Sequence, residues 1–305
     1  MPEQPLVSVI MNCFNGEKYL REALDSVLAQ TYTNWELIFW DNQSNDKSAE
    51  IFKKYNDPRC KYFFTPKHTL LSEARNCAIE YSTGEFLAFL DVDDWWAPEK
   101  LEKQIPLFDD QEVGLVYANY WYVLNGKNIK YPLYRKKLPK GWCIDALLRY
   151  YCVGLLTILV RRTAFDALNG GFNPKYHVIE DFDFVIKLNK SWKIECVHTP
   201  LAFFRFHGEN SSIKQKETRI FELQKWCYDM RDDPIIGKQK GLKIMNKLLM
   251  YQKAIDDLER RDFKAAWACV KSINFSILQL RLLMKIIVPE VLFHQVNKLL
   301  SNQWS

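Results

Sequence analysis

Short apolar runs alternate with amphipathic stretches along the first hundred residues. Leu6 to Met11, Trp35 to Trp40, Cys60 to Phe64 and Glu85 to Leu90 each have the length and character of a buried strand. Between them, Glu17 to Gln30 sets Leu20, Leu24, Val27 and Leu28 on one helical face, and Asp46 to Tyr55 and Ser72 to Tyr81 also read as helices. Asn15-Gly16 breaks the chain between the first strand and the first helix, and Asn45 or Asp46 offers the second helix an N-cap. Strands and helices alternating at this spacing predict a mostly parallel sheet with helices on both faces. Ligands of such sheets bind beyond the carboxyl ends of the strands. Three polar clusters fall at those ends: Asn12 to Asn15, Asp41 to Ser44, and Asp91 to Asp94. The pattern therefore puts them on one edge of one sheet.

Residues 111–213 are less regular. Val113 to Tyr122 and Leu155 to Val160 predict strands, Glu180 to Leu188 a helix, and Lys193 to Val197 and Leu201 to Phe206 two strands around a His198-Thr199-Pro200 turn. Mixed pieces of this kind suggest an antiparallel extension of the sheet. From Lys216 onward the pattern is helical throughout. Leu248 to Leu258 and Phe263 to Val270 read as a helical hairpin, loosely like one tetratricopeptide unit, and Leu278 to Val288 and Val291 to Leu300 follow around Pro289. The last two segments fit either an interfacial amphipathic helix or a helical cap on the preceding domain.

Composition changes the picture in two places. With 305 residues, 48% of them hydrophobic and 14% aromatic, the chain can bury a full core, so disorder is excluded. Its charge is uneven: residues 214–305 hold 17 Lys+Arg against 10 Asp+Glu, more than the whole net excess of +5. A basic tail beside a near-neutral body suggests an anionic surface such as lipid headgroups, hence peripheral contact with a membrane. No basic cluster interleaved with aromatics points to nucleic acid. The eight cysteines are scattered, without a Cys-x-x-Cys pair, which argues against a zinc ribbon and for buried free thiols in a reducing compartment. The N-terminus lacks the features of a signal peptide, and no apolar window approaches a bilayer span, so a cytoplasmic location is expected.

The densest chemistry is Asp91-Val92-Asp93-Asp94, three carboxylates in four residues directly after an apolar strand. Such crowding raises the electrostatic energy unless a cation or hydrogen-bond donors lie among the carboxylates. Oxygen ligands of this hardness favour Mg²⁺ or Mn²⁺ bridged to substrate phosphates. The plainer reading is an acidic turn, with Asp94 capping a helix before Pro98.

Several ordered motifs together resemble the inverting family-two glycosyltransferases of GT-A fold. Val7-Ser8-Val9-Ile10-Met11-Asn12-Cys13-Phe14-Asn15-Gly16 looks like their opening strand and loop. Ser26 to Tyr32, Trp35 to Asp46, Ala74-Arg75-Asn76, Gly84 to Asp94 and Pro98-Glu99-Lys100-Leu101 continue the match. Gly170-Gly171-Phe172, Glu180-Asp181-Phe182-Asp183 and Arg205-Phe206-His207 follow in the family's order. The resemblance covers residues 6–213. It implies a GT-A domain over 1–213, with a nucleotide-binding half of about 1–110 and an acceptor half of about 111–213, and a helical extension over 214–305. Two positions depart from the family pattern: Asn12 stands where Pro is usual, and Asp41-Asn42 where two acidic residues are common.

The resemblance implies a nucleotide-sugar donor, most simply a UDP-sugar, a divalent cation (Mn²⁺ or Mg²⁺), and a glycan, lipid-linked or protein acceptor. Asp93 would hold the cation on the diphosphate, with Asp91 contacting the ribose or supporting the metal, and His207 completing the metal shell or touching the diphosphate. Phe14 and Asn15 would meet the base, Asp41 and Asn42 the base and ribose, and Arg75 the base or a phosphate. Asn42 can donate and accept, so it can read uracil or another base. Arg205, Ser211 and Ser212 are weaker phosphate candidates. A sugar hydroxyl must lose its proton as it attacks, and Asp181, at a helix start, is the candidate base. The competing readings are a cap role for Glu180 and Asp181, a surface ion pair for Arg75, and core packing rather than sugar stacking for Trp95 and Trp96. A sugar nucleotidyltransferase is the second enzyme class, although its Gly- and basic-rich first loop is absent here; a nucleotide-binding scaffold is the non-enzymatic alternative.

Overall fold

A computed structural model describes residues 4–124, 129–168, 170–210, 214–262, 264–265 and 267. The first strands are β1 (Val7–Cys13), β2 (Trp35–Asp41), β3 (Cys60–Phe64) and β4 (Phe86–Phe89), all parallel, in the order β3-β2-β1-β4. Between them run α1 (Leu20–Leu28), α2 (Ser48–Phe52) and α3 (Leu71–Glu80). Every residue of β1 and β2 is buried, including Ser8, Glu36 and Asp41, because helices cover both faces. The helices are shorter than the periodicity predicts. Asp46 does not cap α2 in the usual position, where Lys47 stands, but its Oδ1 accepts from Ser48 N at 2.9 Å.

The second half departs more. After β4 come β5 (Trp95–Trp96), α4 (Lys100–Gln104), β6 (Val113–Leu124), β7 (Ile129–Pro132), α5 (Ile144–Arg149), β8 (Leu159–Arg161), α6 (Arg162–Asp166), α7 (Glu180–Leu188) and β9 (Lys193–Phe206). The sheet continues β4-β8-β6-β9-β5, with β7 against β6. β8 is antiparallel to β4 and β6, which gives the expected antiparallel element. Lys193 to Phe206, however, is one strand rather than two around a turn. It runs parallel to β6 along its whole length, and a register shift opposite Asn119 absorbs residues 198–199. The sequence from Leu155 begins as a 3-10 turn, Leu155–Thr157, before β8. Trp95 and Trp96 pair with β9 instead of opening a helix.

The chain divides into two compact units, Met1–Glu222 and Leu223–Ser305. Helix α8 (Lys216–Asp229) spans that boundary, and α9 (Lys240–Glu259) belongs to the second unit and begins eight residues before the sequence pattern suggests. Leu278 to Val288, Val291 to Leu300 and most of the second arm of the expected hairpin lie outside the described residues. Among the described residues no helix is long and apolar enough to cross a membrane.

Candidate active site

The ends of β1 and β4 and the end of β9 enclose a cavity of about 730 Å³, a size that suits a nucleotide-sized ligand. Phe14, Asn15, Gly16, Lys18, Tyr19, Asp93, Phe206 and His207 are among its lining residues. Phe14 projects into solvent at 52% exposure and packs its ring 4.4 Å from His68. Asn15 adopts a left-handed φ of 55°, and its Oδ1 accepts from Asn45 N at 2.9 Å, which ties the first loop to the end of β2.

Asp41 and Asn42 do not reach this cavity. Asp41 is fully buried, its two oxygens accepting from Ser44 N and the Tyr62 hydroxyl, both at 2.7 Å. The Asn42 amide donates to Thr69 O at 2.8 Å and accepts from Thr69 N at 3.1 Å. An aspartate could not make the first of these bonds, so the departure from the acidic pair has a local structural use. Both residues shape the loop beneath the cavity rather than line it.

The three aspartates after β4 separate into three roles. Asp93 faces the cavity with its Oδ2 3.0 Å from His207 Nε2. Burial raises its pKa and the neighbouring Asp91 raises it further, partly offset by His207. His207 Nδ1 accepts from Glu209 N at 3.1 Å, so in the neutral ring the proton sits on Nε2 and is donated to Asp93. Asp91 turns the other way and accepts from Arg75 Nη2 at 2.9 Å. Asp94 is neither cap nor cavity group: it is 4% exposed and its Oδ1 accepts from Arg205 N at 2.8 Å, while α4 begins only at Lys100.

Arg205 is likewise engaged by protein groups. It is 8% exposed, donates to the Asp93 carbonyl at 2.9 Å, pairs with Glu22, and stacks between Tyr19 and Trp95, its guanidinium 4.6 and 4.4 Å from the two rings. It thereby fixes the acidic turn against the end of β9, which brings His207 onto Asp93. Trp95 stacks on Phe203 at 5.0 Å, and Trp96 donates its indole N–H to Leu156 O at 2.7 Å, so both tryptophans are packing residues. Ser211 and Ser212 lie outside the described residues.

A second acidic group meets the first through Arg75. This arginine, 3% exposed within α3, donates to Asp91 and, at 2.5 Å, to Glu180 Oε1 at the start of α7. It is a buried bridge, not a surface ion pair. Burial alone would lower its pKa, but Asp91 and Glu180 together hold it above the usual arginine range. Burial raises the pKa of Glu180 and of the half-buried Asp181, and Arg75 limits both rises. Neither acid is the N-cap of α7, a position held by Ile179; Asp181 Oδ1 accepts from Phe182 N at 2.7 Å. Asp183 pairs with Lys187 at 2.8 Å.

Sequence reasoning gave no role to Asn76, Glu22 or Tyr19. Asn76, beside Arg75 in the Ala-Arg-Asn motif, binds the carbonyls of Gly170 and Phe172 and the N–H of Phe172, so its motif position was a usable signal. Gly171 sits there at φ +64°, and a Cβ would collide with the Phe165 ring. Glu22 and Tyr19, which brace Arg205, carry no local signature.

A model of glycosyl transferase family 2 matches residues 8–207. The Escherichia coli UDP-Glc:alpha-D-GlcNAc-diphosphoundecaprenol beta-1,3-glucosyltransferase WfgD is 30% identical over 219 residues, 72% of this chain and 83% of that relative. Among solved structures, S. aureus TarS 1-349 in complex with UDP-GlcNAc superposes with a TM-score of 0.65 at 18% identity, over 92% of this chain and 78% of that one. The mannosyltransferase PcManGT from Pyrobaculum calidifontis, in complex with GDP-Man and Mn2+, gives 0.62 at 16% identity, over 97% and 84%. At these identities the structural likeness is one of fold, the mixed α/β GT-A type.

Proposed function

The chain belongs to glycosyl transferase family 2, and from that membership we propose that it moves a hexose from a UDP-sugar, with inversion at the anomeric carbon, to a hydroxyl of a sugar carried on a lipid diphosphate. It is a glycosyltransferase, with relatives in bacterial glycan synthesis. The observation that carries the finer reading is the Arg75 bridge. One guanidinium joins Asp91 of the acidic turn to Glu180, the neighbour of Asp181, across 89 residues of sequence. A donor-side acidic turn and an acceptor-side carboxylate are thereby set in one piece of structure, as a single displacement needs.

In this reading Asp181, ionised, takes the proton of the acceptor hydroxyl as its oxygen attacks. Its raised pKa makes it a stronger base than an ordinary aspartate while Arg75 keeps it ionised near neutral pH. Phe14 and His68 offer the base of the nucleotide an aromatic face, and Asn15 holds that loop in place. The donor set suits a divalent cation only in part: no three His, Cys, Asp or Glu side chains converge as a metal cluster among the described residues. Asp93 and the second oxygen of Asp91 suit a hard ion that takes its remaining ligands from phosphate. Such an ion, when bound, neutralises the charge building on the departing diphosphate. His207 would join that shell through Nε2 only by releasing Glu209 N from Nδ1; as it stands its one N–H goes to Asp93, which it orients.

UDP is favoured over GDP because the relative at 30% identity is named for UDP-Glc, whereas the neighbour named for GDP-Man is 16% identical. That relative is also named for a lipid-diphosphate acceptor, and this chain carries exposed Arg135, Lys136 and Lys137 directly after Tyr134 in the acceptor half. The positive excess over residues 214–305 suits the membrane surface at which such an acceptor resides. Incubation with UDP-glucose, Mn²⁺ and a short-chain GlcNAc-diphosphate lipid should yield a β-linked disaccharide, and Asp93→Ala should abolish it. An α-linked product, or no transfer from any UDP-hexose, overturns the reading.

A further inference from the structure

The segment that delivers Asp181 is held at both ends. At its start, Asn76 grips Gly170 and Phe172. At its end, immediately before α7, two consecutive backbone N–H groups point at one carboxylate: His177 N donates to Glu222 Oε1 at 2.8 Å and Val178 N to Glu222 Oε2 at 3.0 Å. Glu222 lies on α8, beyond the 8–207 stretch that the family model matches, and is 5% exposed. A carboxylate carried that far out of water needs donors, and these two backbone groups supply them.

We propose that Glu222 is a positioning residue for the base: its carboxylate clamps residues 177 and 178 and so sets where α7 begins, and with it the direction of Asp181. Three features support this. The contact is bidentate, so it fixes orientation as well as distance. The clamped residues precede Ile179, the N-cap of α7, so a shift there is passed directly to the first helical turn, which carries Glu180 and Asp181. The negative charge also stands at the end of α7 where the helix dipole favours an anion. The first helix after the family domain thus takes part in the geometry of the reaction without touching a reactant. The inference rests on the proposed role of Asp181.

The test is a double-mutant cycle on the full-length chain, with Glu222→Ala and Glu222→Gln placed in the wild type and in Asp181→Asn. Gln keeps one acceptor oxygen and turns an amide N–H₂ toward the other backbone donor, so it preserves size and remains readable if the Ala variant does not fold. The expected result is a fall in kcat for transfer on the order of 10- to 100-fold, as for a displacement of about 1 Å at a reacting group, with donor-nucleotide Kd unchanged. In the Asp181→Asn background the same substitutions should add no further loss, because a positioning residue acts only through the group it positions. Equal fold-losses in both backgrounds, a loss that tracks nucleotide affinity, or unchanged kcat overturns the proposal. If Asp181→Asn itself retains full transfer, the base assignment falls and the clamp with it; if it loses transfer while the Glu222 variants do not, only the clamp falls.

Discussion

Two stretches of this chain each place three carboxylates within four residues, and the folded protein treats them in parallel. Asp91, Asp93 and Asp94 follow β4; Glu180, Asp181 and Asp183 open α7. In each, one acid is bound by Arg75, one is given the chemistry in the proposed function, and one is buried in a structural bond. Asp91 and Glu180 take the two ends of the guanidinium. Asp94 secures β9 through Arg205 N, and Asp183 pairs with Lys187 along its own helix. The difference lies in the remaining pair. Asp93 opens onto the cavity with an imidazole as neighbour, whereas Asp181 accepts from the Phe182 N–H and feels the Arg75 cation through its charge. A group facing diphosphate must stay charged and accessible; a group that removes a proton gains from partial desolvation, which strengthens its basicity. In the proposed function, environment and not residue type separates the two tasks.

The largest break in that comparison is Asp181→Asn. Transfer should fall roughly 10²- to 10⁴-fold, the range for loss of a general base, with nucleotide binding by calorimetry unchanged. Equal loss of binding would merge the two stretches into one donor site.

Arg75→Met removes the cation the two stretches share. It leaves Glu180 and Asp91 with an uncompensated charge and should lower unfolding free energy by about 3–5 kcal/mol in urea titrations. The sign with pH follows from the carboxyls. Burial already raises Glu180 and Asp181, and without Arg75 both rise further. A folded-state pKa above the unfolded one means stability is lost as pH rises through it, so the deficit should be smaller at pH 4 than at pH 8. The acid limb of the transfer rate should move to higher pH, because the base is ionised only above its pKa.

Lys100 supplies a contrast, a buried amine with no acid paired to it among the described residues. It is fully buried, its Nζ makes no hydrogen bond among the described residues, and it lies 4.2 Å above the Trp96 ring. Burial lowers its pKa to about 7. Between that value and the ordinary lysine range, unfolding takes up a proton, so wild-type stability rises with pH across this window. Lys100→Met should therefore stabilise the protein by about 2–4 kcal/mol near pH 7, with the gain shrinking toward pH 10. A variant less stable at pH 7 would mean that the amine has a partner in solution.

The smallest effect is at Asn42. Changing it to Asp restores the acidic pair of the family pattern but loses the bond to Thr69 O and sets a carboxylate against a carbonyl. A loss of about 1–2 kcal/mol is expected by thermal melting, without a gain in UDP affinity. Tighter UDP binding would show that this loop opens to present residue 42 to the base.

Much of the cavity's lining was legible in the chain. Buried parallel strands declare themselves as short apolar runs, and the polar residues ending them fall on one edge once strand order is known; Phe14, Asn15, Asp93 and His207 meet there. The same logic does not say how Asp41 and Asn42 are held, because a polar residue at a strand end faces either ligand or loop, and their present bonds are to Ser44, Tyr62 and Thr69. It also split β9, since Pro200 reads as a break although a bulge against β6 carries the strand through it.

The sequence by itself determined the parallel β-α order, the edge on which the polar strand ends gather and the family motifs, because burial periodicity and strand-end polarity are local properties. Tertiary structure alone decided which acid of each triplet is free and which is tied, and that Arg75 and Glu222 hold the start of α7. Apart from the Asp183–Lys187 pair within α7, those choices rest on contacts 16 to 114 residues apart. No local pattern records them, since a charged residue looks the same along the chain whether its partner is water, a peptide N–H or a guanidinium.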